Sequence, residues 1–414
     1  MKPFFSHGLL LLAVLCCLLP RTKTDYQEEL DNKPDIDILH CQRENSQSMT
    51  ISNVSISLFK EMAQRSKDEN ILFSPIRVVA AISMLALGAK DNNSQHILEG
   101  LRLNRTGLTE AEIHNCFWYL LHSVKPRTAQ AQIRGGSSMF IDKALNKVEK
   151  FVKGAKDLYH TDVIPIDLTD NSAAKTQIIN YMRKETNKEI VDAVKSLKND
   201  TVLALVNYID FNAKLLSNFN CRVIKMEYFN PKNKVPSKVP TIHSVDVYDL
   251  FHYKDLFSSV FTYGDIAMEA MFYFILPERG KMHMAEERLS YPHFRRMRQY
   301  LNLRMVRAHI PELSISETHD LESVLNLLGI NYVFNNEANS SVVTDDILHK
   351  SFKVISMATL TFDDKGLEPV PNYCGKEEWA SISVLRLNRP FLIFIEHLGS
   401  GAPIFLGRVV NPRN

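Results

Sequence analysis

The chain contains 414 residues, of which 45% are hydrophobic, and its formal net charge at pH 7 is +2. So small a net charge excludes a general attraction to nucleic acid or to anionic membranes, so any basic surface must be local. With 15 Gly and 17 Pro, the chain is neither low in complexity nor collagen-like. The composition predicts a large globular protein with a substantial core.

The N-terminus has the features of a secretory signal. Lys2 precedes an apolar run from Leu9 to Leu19, which ends at Pro20. The run suits the core of a signal peptide and is too short to span a bilayer. We assign residues 1–24 to a signal peptide cleaved between about residues 20 and 25. We therefore expect a secreted, extracellular protein that does not associate with membranes.

Residues 25–50 are polar and acidic-leaning, which predicts a poorly ordered tail with order beginning near Ile51. Neither a linker nor an internal repeat interrupts the rest, so residues 51–414 are expected to form one domain. Five N-x-Ser/Thr sequons predict a glycoprotein, with the first and third as the favoured sites. They are Asn53, Asn104, Asn92, Asn199 and Asn339, with the two favoured sites named first.

Two of the six cysteines, Cys16 and Cys17, lie in the signal peptide. The spacing of the others contains no C-x-x-C pair, so a structural zinc site is not predicted. Free thiols, one bridge or two bridges are all compatible with the sequence, and neither a metal nor a cofactor is expected. The remaining cysteines are Cys41, Cys116, Cys221 and Cys374.

Helical patterns dominate the first part of the domain, and strand patterns follow. Ser74-Pro75 predicts the start of a helix that ends at Gly88. The run from Thr201 to Phe211 is almost continuously apolar, as in a strand buried on both faces. The mixture predicts one α+β domain. Further helices are expected at 94–101, 109–123, 145–159, 172–185, 284–302 and Leu321–Leu328, and further strands at 136–142, 238–250, 258–276 and within 384–410.

The sequence lacks the motifs of common enzymes. It has no G-x-S-x-G elbow, no H-E-x-x-H and no phosphate-binding loop, so an enzyme is not predicted. His243 and His252 flank a predicted strand and are expected to be solvated. A thiol–imidazole pair of Cys374 with His309 has no support in the sequence.

A local basic cluster lies within and just after the 284–302 segment. Two interpretations stay open: a site for a heparin-like polysaccharide, or a solvated helix face balanced by Glu286 and Glu287. The candidate polyanion-binding residues are Arg295, Arg296, Arg298, Arg304 and Arg307.

Five segments match a known family in the order in which they follow one another along the chain: Asn70–Pro75, Thr201–Phe211, Asp363–Gly366, Leu385–Ile395 and Gly407–Pro412. They resemble the serpin family, and most closely its α1-antitrypsin-like clade. The resemblance covers Ile51 to Asn414 and implies three β-sheets, eight or nine helices, and an exposed reactive-centre loop between Gly366 and Leu387. A monomer is expected.

In inhibitory serpins, a protease cleaves the loop and remains acylated to it while the hinge enters the main sheet as a new strand. Such a strand needs donors on both edges and small residues on its inward face. Here the first, third and fifth positions after the hinge glycine hold Leu, Pro and Pro, which share one face of a strand. The hinge consists of Gly366, Leu367, Glu368, Pro369, Val370, Pro371 and Asn372.

Other positions depart from the family pattern. The resemblance places the shutter of the main sheet at Ser74, Asn207 and Ser356, and Ser356 stands where the family has histidine. Leu215 replaces a recurrent tryptophan. These departures, together with the hinge prolines, predict slow or incomplete insertion. A flexible loop that tolerates its prolines is the competing interpretation.

The expected function is therefore a non-inhibitory role in binding, transport or regulation, and the alternative is inhibition of a serine protease. The reactive bond is assigned to Ala380–Ser381, with Trp379–Ala380 as the alternative. An elastase-type enzyme fits the first bond and a chymotrypsin-type enzyme the second. A small hydrophobic ligand is a further possible partner, because some members of the clade bind hormones.

Overall fold

The computed structural model describes residue 41 and residues 47–89, 93–124, 131–145, 149–186, 194–195, 197–214, 222–231, 235–265, 269–300, 302–327, 329, 351–363 and 382–413. The predicted signal peptide, the hinge, both candidate reactive bonds, Leu215, Asn92 and Asn339 lie outside the described residues.

The first part of the domain is helical, as predicted. Helix α2 is buried along its whole length because nearly all its side chains are apolar, and Pro75 occupies its first turn. Helix α4 begins at a capping box, in which Thr109 and Glu112 each bond to the backbone of the other. The elements are α1 (Gln47–Arg65), β1 (Ile71–Phe73), α2 (Pro75–Ala86), α3 (Asn93–Gly100) and α4 (Glu110–Ser123).

Buried contacts also involve residues N-terminal to Ile51, where the sequence predicts that order begins. Helix α1 begins at Gln47, which is fully buried and donates a hydrogen bond to the carbonyl of Ile113 at 3.1 Å. Cys41 is buried as well and forms a disulfide with Cys116 on α4. The polar composition of the segment hid this anchor, because a disulfide and one helix turn need few apolar residues.

The Cys41–Cys116 bridge should contribute measurably to stability. It closes a segment of 75 residues, for which chain entropy predicts a contribution of about 4 kcal/mol. The Cys116→Ser variant should therefore unfold at a lower temperature than the parent protein, as measured by calorimetry. With a reducing agent present, the two proteins should unfold together. A variant that matches the oxidised parent would contradict this role.

A five-stranded sheet forms the first layer of the fold. Its strands lie in the order β10 (Leu313–Asp320), β11 (Ser351–Asp363), β4 (Thr201–Lys214), β2 (Ala131–Asp142) and β3 (Thr161–Ile166). Helices α5 (Glu149–Tyr159) and α6 (Asn171–Thr186) precede and follow β3. Ile178 and Met182 of α6 pack against Phe140, Val206 and Met357 of the sheet. This packing covers the face of β4 on which Val206 lies, and the buried ring of Phe211 lies on the opposite face, so β4 is apolar on both.

Nine strands form the second sheet. The resemblance implies three sheets, and the described strands form two hydrogen-bonded sheets because the long strand β6 pairs with β5 and β9 along one half and with β7 at its end. The order is β1, β14 (Pro403–Val409), β13 (Phe391–His397), β8 (Ala270–Pro277), β7 (Ser258–Asp265), β6 (Ser237–Tyr253), β9 (Leu303–Pro311) and β12 (Ser383–Arg386), with β5 (Arg222–Phe229) beside β6.

Two predicted elements are divided in the structure. The segment 258–276 is the pair β7 and β8, and the segment 284–302 contains helices α7 (Met282–Arg288) and α8 (Tyr291–Gln299). Ser290 is extended and Pro292 follows in the first turn of α8, so the first helix cannot continue. The helix predicted at Leu321–Leu328 is α9 (Glu322–Leu327). Among the helices described, none is long and apolar enough to cross a membrane.

Candidate functional site

The contact between β4 and β11 in the five-stranded sheet is the candidate functional site. The two strands are parallel neighbours and pair from Ser351 with Thr201 to Asp363 with Lys214. We call this contact the β4–β11 seam. Strand β11 ends at Asp363, three residues before the predicted hinge begins in the sequence at Gly366. A chain that reverses there and enters the seam would run antiparallel to both strands.

Aromatic side chains close the end of the seam near the hinge. The rings of Phe211 on β4 and Phe362 on β11 lie 6.2 Å apart at an angle of 83°, so they form an edge-to-face pair across the seam. Both rings are fully buried, and Phe272 and Phe405 from the other sheet contact Phe211. Opening the seam here would separate a packed aromatic pair.

A row of polar residues crosses the middle of the seam. Asn207 on β4 lies opposite Ser356 on β11, and Ser356 lies opposite His319 on β10. The amide Nδ2 of Asn207 donates a hydrogen bond to the carbonyl of Ile355 at 3.0 Å. The structure therefore places the predicted shutter residues Asn207 and Ser356 side by side, with Ser74 buried at the start of α2.

The predicted shutter residues are incompletely hydrogen-bonded. Within the part of the chain that the structure describes, Ser74 Oγ, Asn207 Oδ1 and Ser356 Oγ are buried and have no partner. Unsatisfied buried polar atoms are uncommon in native proteins and each costs about 1–3 kcal/mol. A histidine at position 356 would be able to bond to such groups. With serine at this position, these buried groups lack the partner that an imidazole would provide.

Sequence reasoning missed His319. This residue occupies the next position in the row, and its Nε2 donates to the carbonyl of Leu72 on β1 at 3.0 Å. The imidazole thus lies on the outer strand β10, and its bond ties β10 to β1 and not β4 to β11. The signal in the sequence was a histidine in a strand that otherwise matched the family, and only the register relates it to Ser356.

The buried ring of His319 should make stability depend on pH. Burial lowers its pKa to about 4, and the hydrogen bond to Leu72, which raises the pKa, only partly opposes this effect. In the unfolded chain the ring binds a proton below about pH 6.5. Stability is therefore complete above pH 6.5 and falls as the pH approaches 4, because the unfolded state binds more protons there.

Replacement of His319 by Gln should reduce the loss of unfolding free energy at low pH by at most about 3 kcal/mol. The free energy of unfolding in urea, measured from pH 7 to pH 4.5, gives the comparison. His252→Gln, at a half-exposed position, is the matched control for removal of one imidazole. An unchanged slope in His319→Gln would show that the ring is solvated.

The five candidate arginines do not form one helix face. Arg295, Arg296 and Arg298 lie on α8, whereas Arg304 and Arg307 lie on β9. Arg298 forms an ion pair with the buried carboxylate of Glu396, and Arg296 contacts Asp255 at 3.1 Å. The interpretation in which Glu286 balances the positive charge of these arginines is wrong, because its carboxylate bonds to the buried Arg408 at 2.8 Å. Polysaccharide binding through this cluster stays a prediction.

Three of the predicted glycosylation sites are described. Asn104 and Asn199 are exposed, and Asn199 Oδ1 accepts a hydrogen bond from Asn171 at 2.6 Å. Asn53, one of the two favoured sites, lies within α1 and is only partly exposed. Attachment of a glycan at Asn104 and Asn199 thus needs no rearrangement of the core.

The cavities among the described residues do not indicate a particular small hydrophobic ligand. One cavity of about 420 Å³ lies near the end of β8 and the start of α7, and many of its lining side chains are charged. They include Lys67, Glu278, Arg279, Arg389 and Arg408. Between α8 and β13, the stacked rings of Phe294 and Phe394 fill the space at a centroid distance of 4.1 Å.

Comparison with known proteins gives a consistent result over the whole domain. Residues 49–412 match the family model described as "Serpin (serine protease inhibitor)". The chain is 54% identical to mouse alpha-1-antitrypsin 1-6, covering 100% of this chain and 99% of that protein. It is 37% identical to human alpha-1-antitrypsin-related protein, with 98% of each covered.

A solved structure agrees with the sequence matches. Human thyroxine-binding globulin, complexed with thyroxine, superposes with a TM-score of 0.78 at 28% identity. The alignment covers 89% of this chain and 98% of that structure. The predicted α+β fold, with its resemblance to the α1-antitrypsin-like clade, is thereby confirmed.

Proposed function

Because the chain belongs to the serpin family, we propose that it is a secreted glycoprotein that does not inhibit proteases and acts through binding, transport or regulation. The N-terminal signal sequence and the exposed sequon residues Asn104 and Asn199 support secretion and glycosylation. The hinge and the β4–β11 seam support the absence of inhibition. The thyroxine complex of a structural neighbour supports a carrier role in this fold, although no residue here identifies the ligand.

The first step of the argument is the cost of opening the seam. Neighbouring strands lie about 4.8 Å apart, so an inserted strand must roughly double the distance between β4 and β11. Opening breaks the ladder from Thr201 to Lys214 and separates Phe211 from Phe362. The inserted strand compensates for these lost interactions only if it forms hydrogen bonds along both of its edges.

The hinge sequence is the observation that carries the proposal. In an extended strand, alternate residues direct their N–H groups toward the same neighbouring strand. Pro369 and Pro371 have the same parity, so both missing donors would fall on one ladder. Each leaves a carbonyl of that neighbour unpaired at a cost of about 1–3 kcal/mol. Leu367 shares the parity and adds a bulky side chain to the same face.

The timing of insertion makes this cost decisive. An inhibitory serpin must insert its hinge before water hydrolyses the acyl-enzyme. A seam that opens slowly, together with a hinge that pairs poorly on one side, gives hydrolysis the advantage. A protease that cuts at Ala380–Ser381, or at Trp379–Ala380, would then release a cleaved chain and remain active.

Incubation with a protease distinguishes cleavage from inhibition. We expect elastase and chymotrypsin to cut the intact protein between residues 379 and 381 without forming a complex that survives SDS electrophoresis. The protease should keep its full activity toward a small substrate. A covalent complex at equimolar protease would overturn the proposal and establish the alternative, inhibition of a serine protease.

A variant with a restored hinge is the matched control. Leu367→Thr, Pro369→Ala and Pro371→Ala together supply the missing donors and remove the bulky side chain. If the hinge alone prevents inhibition, this variant should form a detectable SDS-stable complex. If neither protein forms one, the seam itself, with Ser356 and the aromatic pair, is the stronger barrier.

A further inference from the structure

Three side chains with metal-binding chemistry meet on the second sheet, away from the β4–β11 seam. Glu227 lies on β5, His243 on β6 and His309 on β9, which are consecutive strands of the sheet. His243 and His309 are direct cross-strand neighbours, and their ring centroids are 3.9 Å apart. The expectation that His243 is merely solvated is wrong, since its side chain is only 14% exposed.

The distances between these side chains suit a coordinated ion. Oε1 of Glu227 lies 2.9 Å from Nδ1 of His309 and 3.1 Å from Nε2 of His243. One ligand atom from each residue lies within 4.8 Å of the others. Zinc bonds of about 2.0–2.1 Å in a tetrahedral site place ligand atoms about 3.4 Å apart. The two distances from Glu227 lie within about half an ångström of this spacing, and the widest separation in the cluster, at most 4.8 Å, needs a movement of up to about 1.4 Å.

The hydrogen bonding of the histidines leaves nitrogen atoms unused. Nε2 of His243 is close to Glu227 but at an angle that makes no hydrogen bond, and Nε2 of His309 also has no partner in the described structure. Both atoms are buried. Binding of an ion at Nδ1 of His309 would replace the hydrogen bond of that atom to Glu227, and the ring proton would then reside on Nε2.

We propose that Glu227, His243 and His309 form a binding site for a divalent transition-metal ion of the zinc class. Two imidazoles and one carboxylate are a common zinc ligand set, and they leave a fourth position for water or another ligand. The side chain of Glu227 is 27% exposed, which gives the ion a path from solvent.

The surrounding charges determine which ions can bind. Lys225, Arg307 and Arg386 act on the histidines as positive neighbours. They weaken any binding that depends on net charge, as Ca²⁺ and Mg²⁺ binding does. An ion that forms strong bonds to imidazole nitrogen is less affected. The site should therefore select Zn²⁺ over Ca²⁺ and Mg²⁺.

The position of the site suggests what a bound ion would stabilise. Strand β12, the first described strand after residues 364–381, pairs with β9 so that Arg386 lies opposite His309. The amide of Leu387 donates to the carbonyl of His309 at 3.0 Å. An ion held by β5, β6 and β9 would therefore fix the strand with which β12 pairs.

Calorimetric titration with ZnCl₂ tests the site on the full chain as secreted by cultured cells and treated with EDTA. We expect one Zn²⁺ to bind per chain and to raise the unfolding temperature, whereas CaCl₂ and MgCl₂ have no effect. Glu227→Gln and His243→Asn should each weaken binding by at least about tenfold. His252→Asn, a half-exposed histidine outside the site, should bind as the parent does.

Protection of the parent protein from chemical modification keeps the test independent of variant folding. Zn²⁺ should slow the modification of His243 and His309 by diethyl pyrocarbonate, read by mass spectrometry, and leave His252 unprotected. Absence of Zn²⁺ binding by the parent, unchanged binding by both variants, or equal modification with and without Zn²⁺ would each overturn the proposal.

Discussion

The parallel pairing of β4 with β11 is the contact on which the behaviour of this serpin depends. It joins the two halves of the five-stranded sheet from Thr201 to Lys214, and β11 ends three residues before the hinge in the sequence. Any strand that enters must replace these hydrogen bonds along both of its own edges. The donors of the hinge therefore matter as much as the ease of opening, and Pro369 and Pro371 remove two donors from one edge.

Different interactions resist opening at different points of the seam. Phe211 and Phe362 close the end near the hinge through ring packing, and Asn207 holds the middle through one hydrogen bond. The imidazole that the family places on β11 is absent, and His319 on β10 uses its ring to bond to β1. The polar row thus contributes one hydrogen bond across the seam and one at the outer edge of the sheet.

Local sequence patterns predicted the fold and part of the site. Apolar runs and family motifs placed β4 and α2, and Asn207 and Ser356 fall in register as expected. Features that depend on distant pairing were missed. Cys41 bonds to a cysteine 75 residues away, and Glu227 meets His309 across 82 residues. By contrast, the break between α7 and α8 had a local signal in the sequence, Ser290 followed by Pro292. The apolar periodicity of the 284–302 segment concealed this signal.

The unfolding temperature of the protein before and after cleavage between residues 379 and 381 tests the central claim most directly. A hinge that enters the seam completes a sixth strand in the sheet, which has five in the described structure, and this raises stability strongly. A hinge that lacks two donors on one ladder cannot complete it. The account predicts that cleaved and intact protein unfold within about 5 °C of each other. A cleaved form that resists unfolding at temperatures far above that of the intact protein would contradict it.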